Sequence, residues 1–166
     1  MSTAYTPADW TDFGTAVATA AAALVGLLFV AISINLRIIL DEKGLPSRAA
    51  QTLILFGTAL IVAVLLVIPG QGHVATGLEL VASGLVILGV QLYLDLTTER
   101  GDEETFWRRL VGRVFPSVIS CGCIVIAGVT LLAQAGGGLY WVVPATVTAI
   151  LFGLTNTWVL LVEILR

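Results

Sequence analysis

Apolar residues in this chain come in long unbroken runs, without the two-residue alternation of a half-buried strand or the 3.6-residue period of a surface helix. Five runs approach or exceed the ~20 residues that a helix rising 1.5 Å per residue needs to cross a hydrocarbon layer about 30 Å thick. They are Phe13 to Leu36, Ala50 to Pro69, Gly77 to Leu96, Val114 to Gln134 and Trp141 to Val162. The first continues through Ile38, Ile39 and Leu40 before Asp41 and Gly44 stop it. Between the runs lie short linkers, among them Pro69-Gly70-Gln71-Gly72-His73 and Gly136-Gly137-Gly138, rich in turn residues. Connections this short predict antiparallel neighbours in an up-and-down bundle. The expected fold is all-α: a five-transmembrane-helix bundle forming a single domain over residues 1–166.

The longer linker after the third run predicts one more element, an interfacial helix over about 102–113. Asp102 suits its N-cap, and Glu103 and Glu104 suit the positive end of its dipole. Phe106, Leu110 and Val114 recur at i, i+4 and i+8 on one face, while Glu104 and Arg108 pair at i+4.

Composition removes the alternatives. The AVILMFWYC set makes up 58% of the chain and charged residues only 11%, too few to cover the surface of a soluble fold and too apolar for a disordered one. A formal net charge of -3 offers no basic surface for nucleic acid. Residues 1–12 hold no Lys or Arg, so the positive region of a cleavable signal is missing and the first run is expected to stay in the membrane.

Sidedness follows from the eight basic residues. Arg37, Lys43 and Arg48 follow the first run, Arg100, Arg108, Arg109 and Arg113 follow the third, and Arg166 follows the fifth. All fall on one side of an alternating topology, the side that basic residues mark as cytoplasmic. The N-terminus is therefore expected outside and the C-terminus in the cytoplasm. Tyr5, Trp10, Tyr140 and Trp141 would mark the outer interface, with Tyr93 and Trp107 at the inner one.

Helices in lipid associate through close backbone packing and interhelical hydrogen bonds, so small residues mark contact faces. Gly14, Ala18, Ala22 and Gly26 form such a series in the first run, and Ala145, Ala149, Gly153 and Thr157 in the fifth. Gly77, Gly84 and Gln91 share a face of the third at heptad spacing. These stripes serve either subunit contacts or packing within the monomer. Five short spans have little interior of their own, which favours a homo-oligomer.

Ionisable groups at membrane depth are costly and point to function. Glu79 lies about one turn inside the outer boundary, and its helix face holds Thr76, Ser83, Val86, Val90, Tyr93 and Thr97. As a pore lining, these residues would make an acidic mouth, an apolar constriction and a polar exit. Alternatively, Glu79 snorkels to a polar partner in the loop. His73, the single histidine, sits in the outer turn near Glu79. It is either a sensor of external pH or an exposed residue without a role. At the inner end, Asn35 and Arg37 share a level with Asp95 and Glu163, so Arg37 with Glu163, or Arg48 with Asp95, would close that end as ion pairs. Asn156 lies deeper and is expected to make a polar contact between helices.

Catalytic constellations are missing. Val81-Ala82-Ser83-Gly84 lacks the leading glycine of a Gly-x-Ser-Gly motif, no Gly-x-Gly-Asp surrounds Asp95, and no phosphate-binding loop occurs. Cys121 and Cys123, two apart on a helix, point to opposite sides and cannot pair. No metal site or cofactor is expected, nor enzymatic activity.

Three segments carry a resemblance: Gly26-Leu-Leu-Phe-Val-Ala-Ile-Ser-Ile-Asn35, Leu45-Pro-Ser-Arg-Ala-Ala50 and Leu66-Val-Ile-Pro-Gly-Gln71. Over roughly the first 70 residues the chain resembles a family of small bacterial integral membrane proteins of actinobacterial type, some of them described as modulators of a membrane-bound AAA protease. The resemblance makes Asn35, Arg48 and Gln71 positions of a shared pattern and brings no catalytic motif. Two functions are thus expected of the chain: a self-associating pore lined by the Glu79 face, or a non-conducting accessory subunit of a larger membrane complex.

Overall fold

In the computed structural model, residues 3–41, 45–97 and 115–164 are described, with side chains through residue 161. The expected helix over 102–113, Trp107 and the Glu163 side chain lie outside them. Every regular element among the described residues is helical: α1 (Thr11–Ile34), α2 (Leu36–Asp41), α3 (Leu45–Val67), α4 (His73–Thr97), α5 (Phe115–Ala133) and α6 (Val142–Ile164). Short 3-10 turns at Thr3–Tyr5 and Pro7–Trp10 precede α1, and another at Gly138–Trp141 leads into α6. Five of these stretches are long and apolar enough to cross a membrane.

The boundaries differ from expectation where local chemistry intervenes. The first apolar run breaks at Asn35 instead of continuing smoothly, because the Asn35 Nδ2 donates to Ala31 O at 3.0 Å. Its backbone N–H shares Ala31 O and Ile32 O, and a side chain that enters the helical ladder in this way kinks it. The second run begins earlier, at Leu45, with Pro46 in the first turn where its missing N–H costs nothing. His73, expected in a turn, is the first residue of α4: Gly70 makes the turn at φ 71°, and Thr76 N already donates to Gly72 O.

Helices α3, α4, α5 and α6 form a closed ring, each packed on the next and α6 returning to α3; α1 lies outside, mainly against α3. Half of the central α3 window is buried against 11% for α1. Where α1, α3 and α6 meet, Ala21, Ala59 and Ala149 pack together.

The small-residue stripes separate accordingly. Ala145, Ala149 and Gly153 of α6 are all buried within the monomer, and Gly153 lies flat against the Phe56 ring, where an added methyl would come 2.8 Å from Cδ1. On α1 the stripe turns away from its neighbour. Gly14 is buried, Ala18 half-buried, and Ala22 and Gly26 are exposed. The buried positions are instead Gly14, Ala21 and Leu28. An i, i+4 series rotates about 40° per step on a 3.6-residue helix, whereas a seven-residue step drifts only about 20°. For the same reason the heptad Gly77, Gly84 and Gln91 stays on one buried face, in contact with Gly128, Leu132, Cys121, Ile124 and Val125 of α5 and, through Gln91, with Ser117.

The two ends of the ring differ. Toward the glycine-rich turns its core is apolar: Val62, Leu66, Leu80, Ile124, Ala127, Leu131, Val142 and Ala145 pack in one cluster with Trp10 and Leu139. Toward the opposite end, which carries Arg37 and Arg48, Gln51, Gln91, Asp95 and Ser117 are buried. The N-terminal turns cap the glycine-rich end. Trp10 donates its indole N–H to Thr3 O at 2.8 Å and meets Tyr140 edge-on at 5.2 Å, and Gly137 N donates to the Tyr5 hydroxyl at 3.3 Å.

Candidate functional site

The turn after α3 folds Gln71 back over the first two turns of α4. Its Nε2 donates to both Glu79 carboxylate oxygens at 2.9 Å. The Thr76 hydroxyl lies 3.2 Å from Gln71 Oε1 and 3.3 Å from Gly72 O, and donates to these acceptors. A carboxylate this near the membrane is thereby supplied with hydrogen bonds by its own loop, the arrangement expected of a snorkelling side chain with a loop partner. Gln71 thus organises the cluster, although the sequence marks it only as a turn residue and a position of the pattern that the resemblance implies.

The face that begins with these residues does not keep one environment. Thr76 is fully buried, Glu79 and Ser83 are half-buried, and Val86, Val90 and Tyr93 are 65%, 46% and 67% exposed. The Ser83 hydroxyl donates to Leu80 O of its own helix at 3.1 Å, and Thr97 likewise to Tyr93 O at 2.8 Å. Thr76, Glu79, Ser83 and Thr97 all find partners on their own helix or its leading turn, and the outward part of the face is apolar apart from Tyr93 and Thr97 near the end.

Val86 and Val90 form one wall of an open groove of about 290 Å³ between α3 and α4. With Ile87 they face Leu53, Ile54, Gly57, Thr58 and Ile61. The Thr58 hydroxyl is spent on Ile54 O at 2.7 Å, so the groove is apolar. His73 is half-buried at the start of α4.

The groove fixes the antiparallel register of α3 and α4, its lining spanning 53–61 on one helix and 86–90 on the other. Continuing that register toward the basic end places Arg48 level with Asp95 and Gln51 within a helical turn of Gln91 in level. Asp95 is buried, and neither it nor Arg48 lacks a partner. Ser117 donates to Gln91 Oε1 at 2.8 Å, linking α5 to α4, and Ser120 donates to Ala145 O at 2.9 Å, linking α5 to α6. Among the described residues, two buried side-chain atoms have no partner: Gln51 Oε1 and Gln91 Nε2.

The residues expected at this end are spread more widely. Arg37 is exposed on α2 and, with Ser33, Asn35 and Ile38, borders an open hollow at the α1 kink. Asn35 bonds within its own helix. Asn156 is half-buried on α6. Ser117, Ser120 and Gln51 escaped the sequence reading because serine is unremarkable in a helix and Gln51 sits at the edge of an apolar run. The signal available was the distance of Gln51 and Gln91 from the basic ends of α3 and α4, six residues in each case.

Cys121 is buried and Cys123 half-buried, both free. Among the described residues no group of three or more His, Cys, Asp or Glu side chains converges. Compared with known proteins, the chain matches no family model, no curated protein and no solved structure.

Proposed function

We propose that this chain is a non-conducting membrane module that works by presenting lipid-facing helix surfaces to other transmembrane helices, either a second copy of itself or a larger membrane complex. It lies in a bacterial plasma membrane with its N-terminus outside and its basic end in the cytoplasm. The sidedness rests on the one-sided distribution of Lys and Arg.

One observation carries the reading. At the start of the α4 face Gln71 satisfies the buried Thr76 and the half-buried Glu79, while farther along the exposed part offers Val86 and Val90 ahead of Tyr93. An apolar surface with satisfied polar groups behind it suits helix packing; a conduit needs groups free to replace an ion's water. The ring interior is filled by Leu66, Leu80, Ile124 and Leu131, all at 2% exposure or less.

A photo-crosslinking residue at Val86, in cells, tests this. Covalent adducts to a membrane protein, or to a second copy, are expected from Val86 and not from Asp9 in the N-terminal cap. Absence of adducts from Val86 sinks the reading.

A pore made by several copies with α4 about a common axis is the second reading. It is favoured by the alignment of exposed Val86, Val90 and Tyr93 on one side of a helix only 28% buried. Flux through proteoliposomes that falls in Glu79→Gln would support it against the first.

A further inference from the structure

Just past the basic end of the α3–α4 groove, whose lining starts at Leu53 on α3 and stops at Val90 on α4, lie two buried amides of opposite need. Gln51 and Gln91 are each only 4% exposed. Gln51 Oε1 is a buried acceptor with no donor, and Gln91 Nε2 a buried donor with no acceptor. Antiparallel packing beside that groove sets the two within about a helical turn in level along the bundle axis. Gln91 is held by Ser117, whose hydroxyl donates to Oε1, leaving its NH₂ to point elsewhere. Gln51 shares its side of α3 with Leu55, Thr58 and Val62, all buried.

Leaving such groups dry costs each its full desolvation penalty, and more surrounding polarity does not help unless something bonds to them. We propose that Gln51 and Gln91 bind a buried water molecule between them, about 9 Å from the basic ends of their helices at 1.5 Å per residue. A neutral molecule that donates and accepts fits this pair. A bare cation would face the Gln91 N–H and an anion the Gln51 oxygen. Internal waters characteristically take two to four polar partners, and the amides supply two. Water reaches the site from the basic end, since the opposite half of the ring core is closed by Leu66, Leu80 and Leu131. The bundle is then half wet and half dry, with hydration ending at the apolar cluster.

Water-edited solid-state NMR on the full chain, ¹⁵N-labelled in lipid bilayers, tests the site by magnetisation transfer from water protons to side-chain amides. Gln134, exposed at the end of α5, is the positive control, and Gln91→Leu identifies the Gln91 signal. The Gln91 Nε2 signal is expected in the water-edited spectrum of the wild type and several-fold weaker in Gln51→Leu. No transfer to Gln91 in the wild type overturns the proposal, as does a direct Gln51–Gln91 amide correlation without water transfer. So does transfer unchanged in a folded Gln51→Leu. If that variant does not fold, the two wild-type outcomes still decide.

Discussion

Gly77 and Gly128 meet backbone to backbone: a methyl group built on Gly128 would lie 2.6 Å from the Gly77 carbonyl oxygen and 2.9 Å from Val81 N. Neither helix can yield without separating along its length, since Gly84 is pressed against Val125 in the same seam. Close approach of this kind replaces the hydrophobic drive that lipid does not provide. Gly128→Val is expected to lower stability by about 1–3 kcal/mol through overpacking. Gly26→Ala, whose added methyl meets nothing within 4 Å, should leave the melting temperature in detergent unchanged. Equal melting of the two variants would contradict the seam.

Gln71 holds Glu79 by two hydrogen bonds. Gln71→Leu therefore strands a half-buried carboxylate, and a hydrogen bond to a charged group is worth about 1.5–3 kcal/mol. Glu79→Gln keeps one amide-to-amide bond and removes the charge, so it should cost less than Gln71→Leu. Denaturant titration of both variants gives the order, and the reverse order would mean that the pair is not what secures this turn.

Gly138 combines a φ of 52° with a backbone contact to Ala4 O. Any side chain there pays for the left-handed conformation, roughly 1 kcal/mol, and displaces the N-terminal turns. Gly138→Ala is expected to loosen the cap and expose Trp10, now 8% exposed. Faster proteolysis ahead of α1, with α1 to α6 intact, is the expected readout.

Ser120 donates to a carbonyl that belongs to another helix. Interhelical bonds of this sort average about 0.6 kcal/mol in a membrane, so Ser120→Ala should produce a small loss, measurable by a shift in unfolding midpoint. A loss as large as that of Gly128→Val would assign α5–α6 packing a weight that backbone proximity is expected to carry.

Sidedness has its own check. In a Cys121→Ala, Cys123→Ala background, Asp9→Cys is expected to react with an impermeant maleimide added to intact cells and Asp41→Cys only after the membrane is opened. Both positions are exposed, so a reversed pattern would invert the orientation.

Helix number and approximate extent were legible because each depends on one local quantity, the length of apolar chain. The departures came from single atoms: the Asn35 amide that breaks the first run, and the Gly70–Gly72 turn that lets α4 start at His73. Of the candidate face on α4, helical spacing put Glu79, Ser83, Val86 and Val90 on one side. It gave no means of seeing that Thr76 is sealed off while Tyr93 stands exposed, because that depends on where α3 and α5 happen to lie.

By itself, then, the sequence determined that this is an all-helical chain with five membrane-length segments, since burying backbone polar groups in lipid leaves a helix little choice. Tertiary structure decided which faces are spent. It wrapped α3 to α6 into a ring, left α1 outside, turned Gln71 onto Glu79 and buried the Gln51 and Gln91 amides. Lipid treats every apolar face alike, so the choice among them falls to shape and hydrogen bonding between segments far apart in the chain.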